Sequence, residues 1–216
     1  METLIKQARA AFNRQFGAEA EAVGVAPGRL EFIGNHCDYN GGLVMGVAID
    51  RRVGVAVGRR GDGRIELVSE GCSSASVADA AKVDRLEGKA AWGNYALGVW
   101  TMLRANGMTL PGGFNLAVVT DLPLGAGMSS SAAFELATAQ ALSALGGADR
   151  SPGYLARLCR RAENEFVGMP CGILDQGVSA FGRENQIVQI DCLTETFSRL
   201  PLPPEAQFRV FNTNVK

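Results

Sequence analysis

The stretch DLPLGAGMSSSAA, residues 121–133, limits what this chain can fold into more than any other part of its sequence. An apolar run typical of a buried strand precedes it, and a run with helical spacing follows from Ser129. A strand that enters a helix through a glycine-rich loop leaves free backbone N–H groups at the helix start. Serine hydroxyls at that point can donate to phosphate oxygens or bind Mg²⁺. The stretch therefore predicts an anion site; a capped helix after a tight turn is the alternative.

The loop matches neither of the common nucleotide motifs, because the chain contains no Walker A sequence and no GxGxxG run. Composition and charge narrow the classes of function that remain. A net charge of -1 over 216 residues does not favour nucleic acid as a partner. Five cysteines without a CxxC pair favour reduced thiols in a cytoplasmic protein. The amphipathic N-terminal segment is not a signal peptide, and no apolar run is long enough for a membrane span.

The spacing of apolar residues along the chain predicts a mixture of helices and strands with antiparallel neighbours, which is typical of the α+β class. Helices are expected at the N-terminus, from Trp92, from Ser129, after the Ser151-Pro152 cap as far as Phe166, and within CGILDQGVSAFG. The predicted strands are AVGVAP, GRLEF, LVMGVAID, RRVGVAVGRR, GRIELVSE, GFNLAVVTDL, NQIVQID and FRVFNTNV.

Three further polar positions are candidates for chemistry. His36, the only histidine, lies with Asp38 in GNHCDYNGG, a cluster that suits sugar hydroxyls but is also typical of an Asx-rich turn. Asp175 in CGILDQ is a candidate general base or a helix-capping residue. Glu163, at the edge of an apolar stripe, is a candidate metal ligand or a surface glutamate.

Taken in order, several segments resemble the galactokinase family, a branch of the small-molecule kinases that include homoserine and mevalonate kinases. APGRLEFIGNHCDYNGG resembles the galactokinase signature, usually written GR-x-N-x-IGEHTDYNGG. LPLGAGMSSSAAFELA resembles the family's phosphate loop, and RAENEFVGMPCGILDQGVSAFG resembles the segment that carries its catalytic aspartate. WGNYALGV is a weaker fourth match. The ordered set spans most of residues 22–216.

The resemblance implies a role for each matching position, with ATP and Mg²⁺ as cofactors and galactose as the substrate. Asp175 matches the base that takes the proton of the anomeric hydroxyl, and Arg29 matches the arginine that neutralises charge on the transferred phosphoryl group. The other matches are grouped by ligand: the sugar at Asn35, His36, Asp38 and Gly172; the nucleotide phosphates at Gly125, Ala126, Gly127, Met128, Ser129, Ser130 and Ser131; adenine at Trp92 and Tyr95; and Mg²⁺ at Ser131 and Glu163.

The fold implied by the resemblance is the N-terminal domain of a GHMP kinase, α+β and similar to domain 2 of ribosomal protein S5. Residues 1–200 are expected to form this sugar- and ATP-binding domain, and residues 201–216 to begin a ferredoxin-like C-terminal domain that is largely missing. We expect a truncated chain that binds nucleotide weakly and turns over slowly or not at all. The full-length protein is expected to be a monomer.

Two departures from the family pattern affect the sugar and the class of function. Asn35 stands where the family has glutamate, and an amide accepts a hydrogen bond more weakly than a carboxylate, so another aldose or sugar derivative remains an alternative to galactose. Cys37 replaces a threonine as a packing change. A non-catalytic ATP- and sugar-binding sensor is the other alternative, although the intact SSSAA run and Asp175 favour a kinase.

Overall fold

The computed structural model describes residues 1–123 and 127–211, and it contains α-helices α1 (Glu2–Phe16), α2 (Asn94–Ala105), α3 (Ser130–Leu145), α4 (Pro152–Arg161) and α5 (Leu174–Phe181). Its strands are β1 (Ala22–Ile33), β2 (Leu43–Arg59), β3 (Arg64–Ser69), β4 (Ser76–Asp79), β5 (Phe114–Thr120), β6 (Gln186–Asp191) and β7 (Thr196–Pro201). Short 3₁₀ turns at Asp38–Asn40 and Gly88–Gly93 precede β2 and α2. The α+β prediction is confirmed.

The long strand β2 organises the single sheet, whose order is β4-β3-β5-β2-β6-β7. β1 pairs antiparallel along one side of β2, β5 pairs with its C-terminal half, and β6 pairs with its first residues. Only β3 and β5 are parallel. Since β2 is buried continuously from Val53 to Gly58, the sheet must be covered on both faces.

The alternation of side chains along the central strands sends two apolar sets to opposite faces. Val55 and Val57 face α2 and α3 in the main core, whereas Ala56 packs with α1 residues such as Phe12. A third cluster joins α5 to β6. α3 is buried on almost every side, and it lies so close to β1 that a Cβ on Gly24 would stand 2.0 Å from the backbone oxygen of Ala137.

Several predicted element boundaries are wrong. AVGVAP and GRLEF form one strand, β1, because a register shift between Pro27 and Arg29 lets the strand continue past the proline. LVMGVAID and RRVGVAVGRR likewise form the single strand β2. The expected helix to Phe166 leaves α-helical geometry after Arg161 and continues as a π-helical turn, Ala162–Val167.

The predicted strand FRVFNTNV is also wrong in its described part, residues 208–211, which have no regular structure. The edge strand is instead β7, which the sequence reading missed. It pairs antiparallel with β6 through a short connection, so local hairpin pairing takes the edge position. Within the described residues, no helix is both long and apolar enough to cross a bilayer.

Candidate active site

Asp175 and Arg29 form an ion pair where β1 meets α5. Arg29 Nε lies 2.7 Å and Nη2 lies 2.6 Å from Asp175 Oδ1. The pair is shielded, because the side chain of Arg29 is 14% exposed and that of Asp175 is 29% exposed. Arg29 Nη1 also donates to the backbone oxygen of Gly127 at 2.9 Å, so the same side chain ties the phosphate loop to the carboxylate.

The predicted phosphate loop reaches the same point from the other side. Ser129 has a left-handed backbone, with φ 52°, and its hydroxyl donates to Asp175 Oδ2. Ser130 begins α3, and no side chain caps the N-terminus of this helix. The capped-helix alternative is therefore wrong for Ser129, and the first N–H groups of α3 remain available to an anion. Two of the predicted phosphate-binding residues, Gly125 and Ala126, lie outside the described residues.

Asp38 caps the helix that carries Asp175. Its Oδ1 accepts from the backbone N–H of Ile173 at 2.8 Å, and its Oδ2 accepts from that of Leu174 at 2.9 Å. The capping role that was the alternative for Asp175 therefore belongs to a residue more than a hundred positions earlier in the chain. The Cys192 thiol donates to the same carboxylate at 3.2 Å.

Gly172 lies directly against the Asp38 carboxylate. A Cβ on Gly172 would stand 2.0 Å from Cγ of Asp38, so the carboxylate can reach α5 only because residue 172 has no side chain. Asp38 and Gly172 also line a cavity of about 460 Å³ together with Tyr39 and Arg160. The structure thus brings together two of the four predicted sugar-binding residues.

The other two predicted sugar-binding residues lie on an exposed loop. The Nδ1 atom of His36 lies 2.5 Å from the Tyr39 hydroxyl, and the backbone oxygen of His36 accepts from the amide of Asn40. Asn35 is exposed and its side chain makes no hydrogen bond to another described residue. These contacts are those of a local turn, the alternative considered for this loop, and they leave one face of the loop open to solvent.

Ser131 and Glu163 are neighbours, but Glu163 is not the surface residue that was the alternative. It is only 8% exposed. Burial raises the pKa of Glu163, while hydrogen bonds from Cys171, Gln176 and Ser131 oppose that shift. Among the described residues no group of three or more His, Cys, Asp and Glu is arranged to hold a metal ion. A hydroxyl and a carboxylate are nonetheless oxygen ligands that suit Mg²⁺, whose remaining positions are usually filled by phosphates and water.

Two buried polar residues behind Glu163 were missed by the sequence reading. Glu135 and Gln176 are both fully buried, and Gln176 Nε2 donates to both glutamates. Burial and the charge of Glu163 raise the pKa of Glu135 well above its usual range, which favours the neutral acid. The burial of Glu135 could have been predicted from its position, because Glu135 shares a face of α3 with the buried Ala139 and Leu142.

Trp92 and Tyr95, the predicted adenine side, lie at the start of α2. The Trp92 ring packs against Phe134 of α3, with ring centroids 6.0 Å apart, and its Nε1 donates to the backbone oxygen of Ser74. Tyr95 is half-buried, and burial with the charges of Glu163 and Glu135 raises its pKa. Both aromatic residues therefore flank the N-terminal part of α3.

A larger cavity, of about 930 Å³, lies on the other side of the phosphate loop. It is lined by residues of β1 and β2, by the segment after α5 and by Met128. Among the described residues, Met128 is the only predicted site residue in its lining, so the chemistry-bearing side chains that the structure describes do not converge there.

Known proteins with similar sequences identify the family of this chain. The family described as GHMP kinases N terminal domain matches residues 94–183, and the galactokinase galactose-binding signature matches residues 10–59. Galactokinase from Roseiflexus sp. (strain RS-1) is 38% identical over 208 residues, which is 96% of this chain and 52% of that protein. Human galactokinase is 38% identical over 220 residues, covering 99% of this chain and 55% of that protein.

A solved structure leads to the same family. The chain matches Lactococcus lactis galactokinase complexed with galactose with a TM-score of 0.80 and 30% identity, over 92% of this chain and 52% of that one. The chain thus spans about half the length of the relatives that it matches. It belongs to the GHMP kinase family and corresponds to the N-terminal portion of a galactokinase.

Proposed function

We propose that the protein is a sugar kinase that transfers the γ-phosphoryl group of ATP to the anomeric hydroxyl of galactose. The observation that carries the proposal is the position of Asp175. Its carboxylate is fixed by Arg29 and Ser129 beside the uncapped N-terminus of α3. Phosphoryl transfer depends on placement of the reactants and neutralisation of charge, and this arrangement supplies both.

Asp175 accepts the proton of the sugar hydroxyl at Oδ2. Oδ1 is already occupied by two nitrogens of Arg29, whereas Oδ2 holds only the hydroxyl of Ser129. The sugar hydroxyl takes the place of this serine hydroxyl when it binds. Arg29 keeps the carboxylate oriented and carries positive charge close to the group in transfer.

The nucleotide phosphates bind the backbone of the loop and the first turn of α3. Ser131 and Glu163 would hold Mg²⁺, which would neutralise charge on the phosphate oxygens. Trp92 and Tyr95 lie on the adenine side. The ATP- and Mg²⁺-dependence of the reaction is supported by the free N–H groups of α3 and by the paired oxygen ligands.

The sugar binds next to the Asp38 and Gly172 pair. The galactokinase galactose-binding signature at residues 10–59 supports galactose, and the nearby cavity of about 460 Å³ suits a monosaccharide. Asn35 and His36, which lie on the exposed loop, also contact the sugar. Because Asn35 offers an amide rather than a carboxylate, its contact with the sugar is weaker than that of a glutamate.

The proposal extends to the organisation of the protein. Residues 1–200 form the sugar- and ATP-binding domain, and residues 201–216 begin a second domain. The protein acts as a monomer in the cytoplasm, where its five cysteines, all free, stay reduced.

Release of ADP that depends on galactose, measured in the complete protein, tests the proposed reaction, with Asp175→Asn as the decisive variant. The amide keeps the shape of the side chain but cannot act as the base, so we expect turnover to fall by about 10²–10⁴-fold while ATP binding is preserved. Glu184→Gln, an exposed change outside the site, is the matched control. Turnover retained in Asp175→Asn would remove Asp175 as the base. Binding of both ligands without ADP release would favour the sensor function.

A further inference from the structure

A buried polar cluster of Glu135, Gln176 and Glu163 lies directly behind the candidate metal ligands. The amide nitrogen of Gln176 donates to Oε2 of Glu163 at 2.7 Å and to Oε2 of Glu135 at 3.1 Å. Gln176 and Glu135 are 0% exposed. A single amide group therefore connects a carboxyl of α3 with the carboxylate of the π-helical turn.

This cluster is costly to keep inside the protein. Neither glutamate forms an ion pair with a lysine or arginine among the described residues, and burial of a carboxylate without a cation is unfavourable. One oxygen of Glu135 and the amide oxygen of Gln176 also have no hydrogen-bond partner among the residues that the structure describes. Replacement of buried charged groups by apolar side chains of the same volume is often neutral or stabilising, so stability alone does not account for this cluster.

The position of Gln176 in the chain indicates that purpose. Gln176 follows Asp175 in the first turn of α5, so one helical turn carries both the base and the amide that reaches Glu163. On Glu163, the Gln176 amide and the Cys171 thiol both donate to the same oxygen, Oε2. The carboxylate is thus held through Oε2, which leaves Oε1 as the oxygen for a cation.

We propose that Gln176 is a positioning residue, anchored on Glu135, that fixes the Glu163 carboxylate for the metal ion of the nucleotide. This inference rests on the proposed function, because it concerns Glu163 as a metal ligand. Hydrogen bonds from neighbouring groups orient metal-binding carboxylates, and loss of such a partner typically lowers metal affinity by about 10- to 100-fold.

The test is the Mg²⁺ dependence of ATP binding, measured by titration calorimetry on the 216-residue chain. Gln176→Leu and Gln176→Met both remove the amide, and thermal unfolding identifies the variants that keep the fold. We expect the Mg²⁺ concentration for half-maximal effect to rise about tenfold or more, with ATP affinity in EDTA unchanged. Ser179→Ala is the matched control, because it removes a buried hydrogen bond from the same helix without touching the cluster.

The anchor is tested by a pair of variants at Glu135. Glu135→Gln keeps an oxygen that can accept from Gln176 and should retain the Mg²⁺ dependence, whereas Glu135→Leu should weaken it. Equal behaviour of the two variants would overturn the anchoring role.

Two results distinguish the positioning role from the proposed function. Gln176 variants with unchanged Mg²⁺ dependence, while Glu163→Gln shifts it, would overturn the positioning role and leave the proposed function intact. ATP binding by the unsubstituted chain that is absent or insensitive to Mg²⁺ would overturn both.

Discussion

The two sides of the candidate site differ in how completely this chain builds them. On the phosphate side, Arg29, Ser129 and Asp175 are held by contacts from β1, the phosphate loop and α5, and the cluster behind them is buried. On the sugar side, Asn35 and His36 lie on an exposed loop whose contacts are local. The proposed catalytic residues are therefore placed by long-range contacts that the fold fixes, whereas the proposed sugar-binding loop is a surface whose residues can change without disturbing the core.

Arg29→Ala should reduce activity more than any variant other than Asp175→Asn, because Arg29 holds both Asp175 and Gly127. The change removes the ion pair with Asp175 and the bond to Gly127, and with them positive charge beside the transferred group. We expect turnover to fall by about 10²–10³-fold, as for the loss of one donor that stabilises a transition state. Arg29→Lys should recover only part of the lost turnover, because lysine lacks the planar guanidinium group of arginine. Steady-state ADP release by the complete protein measures both variants.

The control for Arg29 is Arg64→Ala, which removes an exposed arginine that pairs with Glu66 on β3. If Arg29→Ala turned over as fast as this control, the phosphate side would not depend on the ion pair.

Gly172→Ala and His36→Ala compare the capped start of α5 with the exposed loop through their effects on stability. A methyl group at this position meets the Asp38 carboxylate, so the cap of α5 must move, and overpacking of this kind costs about 1–3 kcal/mol. His36→Ala on the exposed loop should change the free energy of unfolding by no more than about 0.5 kcal/mol. Denaturant unfolding measures both variants. Similar losses for the two would show that the loop is as integral to the fold as the cap.

Glu135→Gln tests the buried cluster behind the phosphate side through the pH dependence of stability. The pKa of Glu135 is raised in the folded protein above its usual value of 4.5, so the folded state binds more protons than the unfolded state as pH rises past that value. Stability of the unsubstituted protein is therefore lost with rising pH, at most about 1.4 kcal/mol for each unit by which the pKa is raised. Glu135→Gln has no carboxyl group to titrate at this position. Its free energy of unfolding in urea, relative to that of the unsubstituted protein, should therefore increase from pH 5 to pH 8. A difference that did not depend on pH would contradict the buried acid.

Asn35→Glu should have the smallest effect and should be confined to the sugar side. A carboxylate accepts from a sugar hydroxyl with charge assistance, which adds about 1 kcal/mol, or about fivefold in galactose affinity. The KM for ATP should not change. Calorimetric titration with galactose is the measurement, and weaker galactose binding by the variant would mean that Asn35 selects a different sugar.

The sequence predicted the elements with strong periodicity and missed features that depend on distant contacts. The α3 helix and the strand before it follow from the apolar pattern alone. The continuity of β1 through Pro27 was not predictable, because it depends on pairing with β2. In the site, the residue types of the loop and Asp175 indicated the chemistry. The capping role of Asp38 and the burial of Glu135 come from tertiary packing, which local patterns do not contain.

We propose that this chain holds the phosphate side of a kinase site, with Ser131 and Glu163 as the metal ligands. The most direct test is calorimetric titration of the 216-residue chain with ATP, with and without Mg²⁺, beside Ser131→Ala and Glu163→Gln. We predict that Mg²⁺ strengthens ATP binding and that each variant requires more Mg²⁺ for the same effect. ATP binding that ignores Mg²⁺, or variants with the same Mg²⁺ dependence as the unsubstituted chain, would contradict the claim.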